Sequence, residues 1–240
     1  MNIIVMISIA KGLSLFVVFL LLLIGLSYAQ LKKSAVGKIV ETVFDESDPF
    51  NGVILIAKNG RILTEEAFGV RDYVSGIPLE TTDIFELASV SKQFTAMIIM
   101  QLQSKGKLSY DDEVETYLNI PYKKITIRQL LNHTSGLPDY QVIMDSHWDK
   151  SKVADNNDII AYLNRYAPPA NFLPGEKYEY SNTGYVLLAS IAEKASGEDF
   201  TKMLREMVFT RYKMKDTDLR TPDEKKLLGT YCSWPYQTNK

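Results

Sequence analysis

Apolar positions along this 240-residue chain change their spacing several times, and each change marks a different kind of element. From Gly12 to Leu26 the sequence is almost wholly apolar, with Lys11 before it and Ser27-Tyr28-Ala29 after it. A positive charge, an apolar stretch and small residues around a cut after Ala29 are the design of a secretory signal peptide, so 1–29 is expected to direct export. The alternative is an uncleaved N-terminal membrane anchor, because a span needs about 20 apolar residues and Met1 to Ile9 is also apolar. Val36, Ile39, Val40 and Phe44 then recur at helical spacing, which predicts a helix over Leu31 to Phe44, stopped by the polar run Asp45 to Pro49. Two β-rich runs, Gly52 to Ala57 and Arg61 to Phe68, flank Lys58-Asn59-Gly60, and Asn-Gly between such runs predicts a hairpin.

Beyond a polar stretch with Gly76 and Pro78, the run Phe94, Met97, Ile98, Met100 and Leu102 predicts a helix closing at Gly106. Further helices are expected at Asp112 to Leu118, at Ile127 to Asn132 behind Thr126 as N-cap, and at Asn157 to Tyr166. Two more are expected at Thr183 to Ala195, ending at Gly197, and at Asp199 to Val208, with loops at His133 to Tyr140 and Ala167 to Ser181. A helix and a β-hairpin followed by a helical lobe is how an α/β sheet lobe with an inserted helical lobe would begin.

Composition narrows the picture. Residues 30–240 suffice for one good-sized domain, or for two lobes sharing a cleft. Without Lys11 the remainder carries 26 basic against 29 acidic residues, a net charge of −3 with no run of either sign, so no nucleic-acid partner is expected. The lone Cys232 has no internal disulfide partner, and with only His133 and His147 beside it a dedicated zinc site is not expected.

Candidate chemistry lies at Ser89-Val90-Ser91-Lys92. An acyl-transfer enzyme without a Ser-His-Asp set can activate serine with a lysine three residues later at a helix start, where i, i+3 spacing puts both side chains on one face. The helix N-terminus adds partial positive charge and free N–H groups for an oxyanion. The same S-x-x-K pattern recurs at Ser8/Lys11 and Ser104/Lys107, but the first lies in the export segment and the second at a helix C-terminus, where the dipole opposes an anion. A tyrosine whose phenolate takes the serine proton completes such a site, since a lysine cation lowers a phenol pKa that is ordinarily near 10. Y-x-N occurs at Tyr117/Asn119, Tyr162/Asn164 and Tyr180/Asn182. The first two lie in expected helices, where the ring packs and the hydroxyl faces water. Tyr180 sits on a loop after Pro174-Gly175 and before a new helix, where functional residues concentrate.

Three blocks, Phe85 to Asn119, Ile125 to Tyr140 and Phe172 to Gly197, resemble the β-lactamase-related serine hydrolase family, which includes class C β-lactamases, D-alanyl-D-alanine carboxypeptidases and related esterases. The resemblance covers most of Gly52 to about Leu219, with the blocks in family order. It implies an α+β (α/β) fold of the β-lactamase/transpeptidase type, an antiparallel sheet lobe with a helical lobe. It implies hydrolysis of an amide or ester (β-lactam, D-Ala peptide or ester) through an acyl-serine, with Ser89 as nucleophile, Lys92 and Tyr180 as a coupled proton-transfer pair, and Asn182 binding the substrate amide. The partner implied is a small-molecule or peptide substrate, with no metal or organic cofactor; oligomeric state is left open.

Ser181 and His133 read as structural loop residues, His133 because no partnered acid is evident for it. His147, Trp148 and Asp149 read as surface loop, and Tyr140 as a packed ring. The family's Lys- or His-x-Gly strand has no counterpart, since the one K-x-G, Lys58-Asn59-Gly60, belongs to the hairpin. The domain 30–240 is therefore expected to lack its C-terminal strands, leaving the hairpin edge unpaired. The alternative reading is a non-catalytic or truncated member that binds peptide or cell-wall-like ligands without turnover. The expected location is periplasmic or secreted, or attached through the N-terminal segment.

Overall fold

The computed structural model describes residues 38–40, 42–43 and 50–220. The expected export segment 1–29, Cys232 and the expected approach to later strands all lie outside those residues. The short described part of the first expected helix, 38–40 and 42–43, is helical. The described residues divide into a unit up to Glu86 and a second unit from Leu87.

In the first unit β1 (Gly52–Lys58) and β2 (Arg61–Phe68) form the expected antiparallel hairpin. Asn59 and Gly60 take φ of 52° and 72°, the paired left-handed residues of the turn that suits strand twist. Between Ile56 and Ala57 the register shifts, from Ile56 opposite Thr64 to Ala57 opposite Ile62. Short strands β3 (Val70–Asp72) and β4 (Ile77–Pro78) form a second antiparallel pair. Arg71 closes this unit on Asp83 at 2.6 Å. Leu55, Ile56, Ile62 and Leu63 remain 40–61% exposed, so the hairpin owes little of its stability to burial of these side chains.

The second unit is helical. A 3₁₀ turn at Ala88–Ser91 runs into α1 (Lys92–Ser104), followed by a 3₁₀ turn at Val114–Thr116, α2 (Ile127–Leu131), α3 (Tyr140–His147) and α4 (Asn156–Tyr166). Last come α5 (Asn182–Ser196) and α6 (Phe200–Met203), which continues into π-type turns over Leu204–Thr210. The apolar stripe of α5 is the centre of this core: Leu187, Leu188 and Ile191 are wholly buried against Ile98 and Ile99 of α1, Leu130 of α2 and Leu163 of α4. Each such side chain contributes about 1.5–3 kcal/mol of transfer free energy.

Helix ends follow the sequence. Thr126 and Gln129 form a reciprocal capping box at α2, with Thr126 Oγ1 accepting from Gln129 N–H at 3.3 Å and Gln129 Oε1 from Thr126 N–H at 2.9 Å. Thr126→Ala is expected to cost about 1 kcal/mol and to lower the melting temperature by about 2–4 °C in a calorimetric scan. Gly197, at φ 76°, ends α5 in the left-handed conformation.

Three expectations are corrected. Asp112 to Leu118 is a 3₁₀ turn within an extended stretch, because Glu113 bridges to Thr126, Asp112 O accepts from Ile127 N–H and Val114 N–H donates to Ile125 O. The loop after His133 ends at Asp139, whose side chain accepts from Gln141 N–H and caps α3. His147 is accordingly the last residue of a helix, stacked on Tyr166 at 4.0 Å, and Trp148 donates its Nε1–H to Lys152 O. Asp199 to Val208 is helical as expected, but only Phe200–Met203 is α.

Candidate active site

Ser89 lies inside the 3₁₀ turn that precedes α1, so the expectation that it opens an α-helix is corrected by one turn. Ala88, immediately before Ser89, is held at φ 44°, a left-handed value that costs a non-glycine residue on the order of 1–3 kcal/mol. A 3₁₀ turn brings i and i+3 into line. Lys92, at that spacing, donates from Nζ to Ser89 Oγ at 3.1 Å. Ser89 is exposed and Lys92 half-buried, so the hydroxyl is accessible and the amine is held from behind.

Tyr180 arrives from 91 residues away along the sequence, and its hydroxyl donates to Ser89 Oγ at 2.7 Å. Asn182, in the first turn of α5, accepts from Lys92 Nζ through Oδ1 at 2.8 Å. Ser89, Lys92, Tyr180 and Asn182 therefore form one hydrogen-bonded chain, and Lys92 Nζ also lies 4.9 Å from the Tyr180 ring centroid.

Two backbone segments hold this arrangement. The 133–136 loop accepts from the later one at three points, His133 O from Glu179 N–H, Thr134 O from Gly175 N–H and Gly136 O from Asn171 N–H, each at 2.8 Å. Gly136 is buried at φ 70°, and a Cβ placed there would stand 2.1 Å from Phe172 O, so only glycine allows the two loops to meet. Ser181, expected to be structural, is the N-cap of α5 and accepts from Gly184 N–H at 3.1 Å. Thr183 ties α5 to the loop before α3, donating to Pro138 O at 2.6 Å and accepting from Tyr140 N–H at 2.9 Å. Tyr140 is a half-buried ring packed against the core, as the sequence predicts.

Electrostatics separates Tyr180 from the other tyrosines. Burial raises its pKa, but hydrogen bonding with Lys92 and Ser89 and the Lys92 charge outweigh burial, so the phenol lies below its ordinary 10.0. Tyr117 is pushed up to about 12, first by burial and then by its hydrogen bond to Asp112 at 2.6 Å, the wrong direction for a base. Its hydroxyl is bonded to a carboxylate and not, as expected, to water. The hydroxyl of Tyr162 faces His147 O at 3.5 Å. Ser104 spends its hydroxyl on Gln101 O at 2.9 Å near the end of α1, while the Ser8/Lys11 pair lies outside the described residues.

His133 stands behind the site, which the sequence reading missed. Its ring stacks on Tyr180 at 4.6 Å and on Tyr185 at 5.1 Å, and its Nδ1 accepts from Ser181 N–H at 3.1 Å. The contacts join residues 47 or more apart in sequence, so no local spacing carried them.

Comparison with known proteins gives the family and the fold. The β-lactamase family matches residues 40–240. A penicillin-binding protein of Bacillus subtilis is 45% identical over 184 residues, covering 75% of this chain and 41% of the relative. The chain thus spans under half the length of that protein. A solved penicillin-binding protein from Bacillus halodurans superposes with a TM-score of 0.63 at 32% identity, covering 72% of this chain and 53% of the other. A D-amino acid amidase from Ochrobactrum anthropi, solved with L-phenylalanine amide, gives 0.59 at 28% identity, covering 68% and 46%. The fold is of the β-lactamase/transpeptidase type, with helices and small antiparallel sheets, and the chain belongs to the β-lactamase family.

Proposed function

We propose that this protein is a serine hydrolase that acts on an amide or ester of a small molecule or peptide through an acyl intermediate on Ser89. The observation that carries the reading is the convergence of two donors on one exposed hydroxyl, Tyr180 at 2.7 Å and Lys92 at 3.1 Å. With the phenol of Tyr180 ionised, the hydrogen bond to Ser89 reverses so that Ser89 O–H donates. Ser89 Oγ attacks the substrate carbonyl carbon while its proton passes across that 2.7 Å to the Tyr180 oxygen. Lys92 and Tyr180 titrate as a coupled pair, with the lysine favouring the phenolate that accepts the proton. Tyr180 then returns the proton to the departing amine or alcohol. Water attacks the acyl-serine with the same proton path run again, restoring Ser89 and releasing the acid.

Asn182 holds Lys92 through Oδ1 and offers its amide nitrogen to the substrate carbonyl. Candidate substrates are β-lactams, D-Ala peptides and simple esters, a range that the penicillin-binding and D-amino acid amidase relatives support. The N-terminal pattern supports a location outside the cytoplasm, periplasmic or secreted, or attached to the membrane through that segment.

The test is covalent. With p-nitrophenyl acetate or a fluorophosphonate, mass spectrometry is expected to find a single adduct on the peptide containing Ser89, and none after Ser89→Ala. Equal labelling of the parent and the variant would remove the proposal.

A further inference from the structure

We propose that His133 is a positioning residue for Tyr180, its imidazole Nδ1 and its main-chain carbonyl clamping the residues on either side of that tyrosine. The inference rests on the Ser89–Lys92–Tyr180 reading and extends it.

Glu179 N–H donates to His133 O at 2.8 Å, and Ser181 N–H donates to His133 Nδ1 at 3.1 Å. One residue thus fixes the backbone immediately before and immediately after Tyr180. Its ring, tilted 29° from that of Tyr180 with centroids 4.6 Å apart, is the surface on which the phenol rests. Tyr185 of α5 stacks on the same imidazole at 5.1 Å, and Tyr178 meets it edge-on at 5.9 Å. The phenol hydroxyl reaches Ser89 only while this support fixes the angle of the ring. Position 133 also requires φ 57°, a left-handed value that histidine and asparagine adopt more readily than most residues.

Ser181 N–H needs a lone pair at Nδ1, so the clamp exists only for a neutral ring carrying its proton on Nε2. The titratable groups facing the imidazole are Lys92 of α1, Tyr178 and Tyr180 of the loop, and Tyr185 of α5. Burial first, and the Lys92 charge second, hold the His133 pKa below its ordinary 6.5. The folded pKa is thus depressed, so the clamp is intact above pH 6.5 and is lost as pH falls through the lower folded value. Acylation then falls with it.

The experiment follows the burst of p-nitrophenyl acetate acylation from pH 4.5 to 8 in the full chain, in His133→Phe and in His133→Asn. Phenylalanine keeps a ring but has no acceptor. Asparagine tolerates the left-handed backbone and offers an acceptor that does not titrate. His133→Phe is expected to lose on the order of 10-fold to 100-fold in acylation rate, with KM little changed. His133→Asn is expected to recover most of that loss and to lack the acid inflection. Parental rate and inflection in His133→Phe would overturn the proposal, as would equal losses in both variants with the inflection retained.

A readout independent of chemistry separates this inference from the hydrolase reading. In Ser89→Ala protein the Ser181 amide proton resonance is expected to shift as the His133 ring titrates below pH 6.5. A Ser181 resonance indifferent to that titration would overturn the clamp even if acylation were normal, and coupled titration without any Ser89 acylation would sink the hydrolase reading alone.

Discussion

Tyr180→Phe is expected to slow acylation of Ser89 by about 10² to 10⁴, the range that a positioned general acid and base supplies. The substitution keeps the ring that His133 stacks against and removes only the oxygen 2.7 Å from Ser89 Oγ, so binding of an ester should change little while the chemical step slows. Lys92→Ala is expected to fall in the same range, and the double variant to be no slower than the worse single one, because the two groups act as one unit. The pH dependence gives a sharper check. The phenolate is the reactive form, so the parental rate rises with pH through an inflection below the ordinary phenol value of 10.0. Lys92→Ala removes the charge and the donor that favour the phenolate, which moves the inflection upward. Full activity in Tyr180→Phe, with the loss confined to Lys92→Ala, would instead make the amine the base and leave the tyrosine as a bystander.

The parts of the fold that were legible in the sequence are those set by local chemistry. Asn59-Gly60 specified the hairpin because left-handed φ at two consecutive residues is inexpensive only for such residues. Thr126 and Gly197 marked helix ends because a side-chain acceptor and a residue without a Cβ satisfy groups that the helix leaves unpaired. Asp112 to Leu118 failed as a helix for the opposite reason. Asp112 gives its carbonyl to Ile127 N–H and Val114 gives its N–H to Ile125 O, so backbone partners from a later segment take the place of a local helical ladder. The short α3 was missed because it buries only Ile143, too few apolar positions to register as a period, although Asp139 was a cap in plain sight.

The same division runs through the site. Ser89 and Lys92 were visible together because their contact is fixed by three residues of backbone. The partners of that pair were separable from competing Y-x-N sites only by the loop setting of Tyr180 and by resemblance, since Lys92 meets Asn182 across 90 residues. His133 was judged by whether it had an acid to pair with, the criterion for a proton relay. Its contacts are rings and amides, which is the criterion for a support.

Gly136→Ala is expected to be among the most destabilising single-methyl changes in the described chain. Two costs add. A left-handed φ of 70° strains any L-residue by roughly 1–2 kcal/mol, and the new Cβ would stand 2.1 Å from Phe172 O, a main-chain atom that moves only if the whole segment moves. Gly197→Ala isolates the first cost, because that glycine has φ 76° with nothing within 4 Å of its Cβ position. About 1 kcal/mol, or roughly 2–4 °C in melting temperature, is expected there, against about 3–5 kcal/mol and on the order of 10 °C for Gly136→Ala. The larger loss has a chemical consequence that the smaller one lacks. Pushing Phe172 away strains the Asn171 N–H bond to Gly136 O, and the segment that carries Asn171 leads directly to Tyr180. Acylation measured well below the melting temperature is therefore expected to drop in Gly136→Ala and to stay at the parental rate in Gly197→Ala. If the two variants melt together and react alike, the close approach to Phe172 is not what position 136 is selected for, and the phenol of Tyr180 is held in place by its own stacking partners alone.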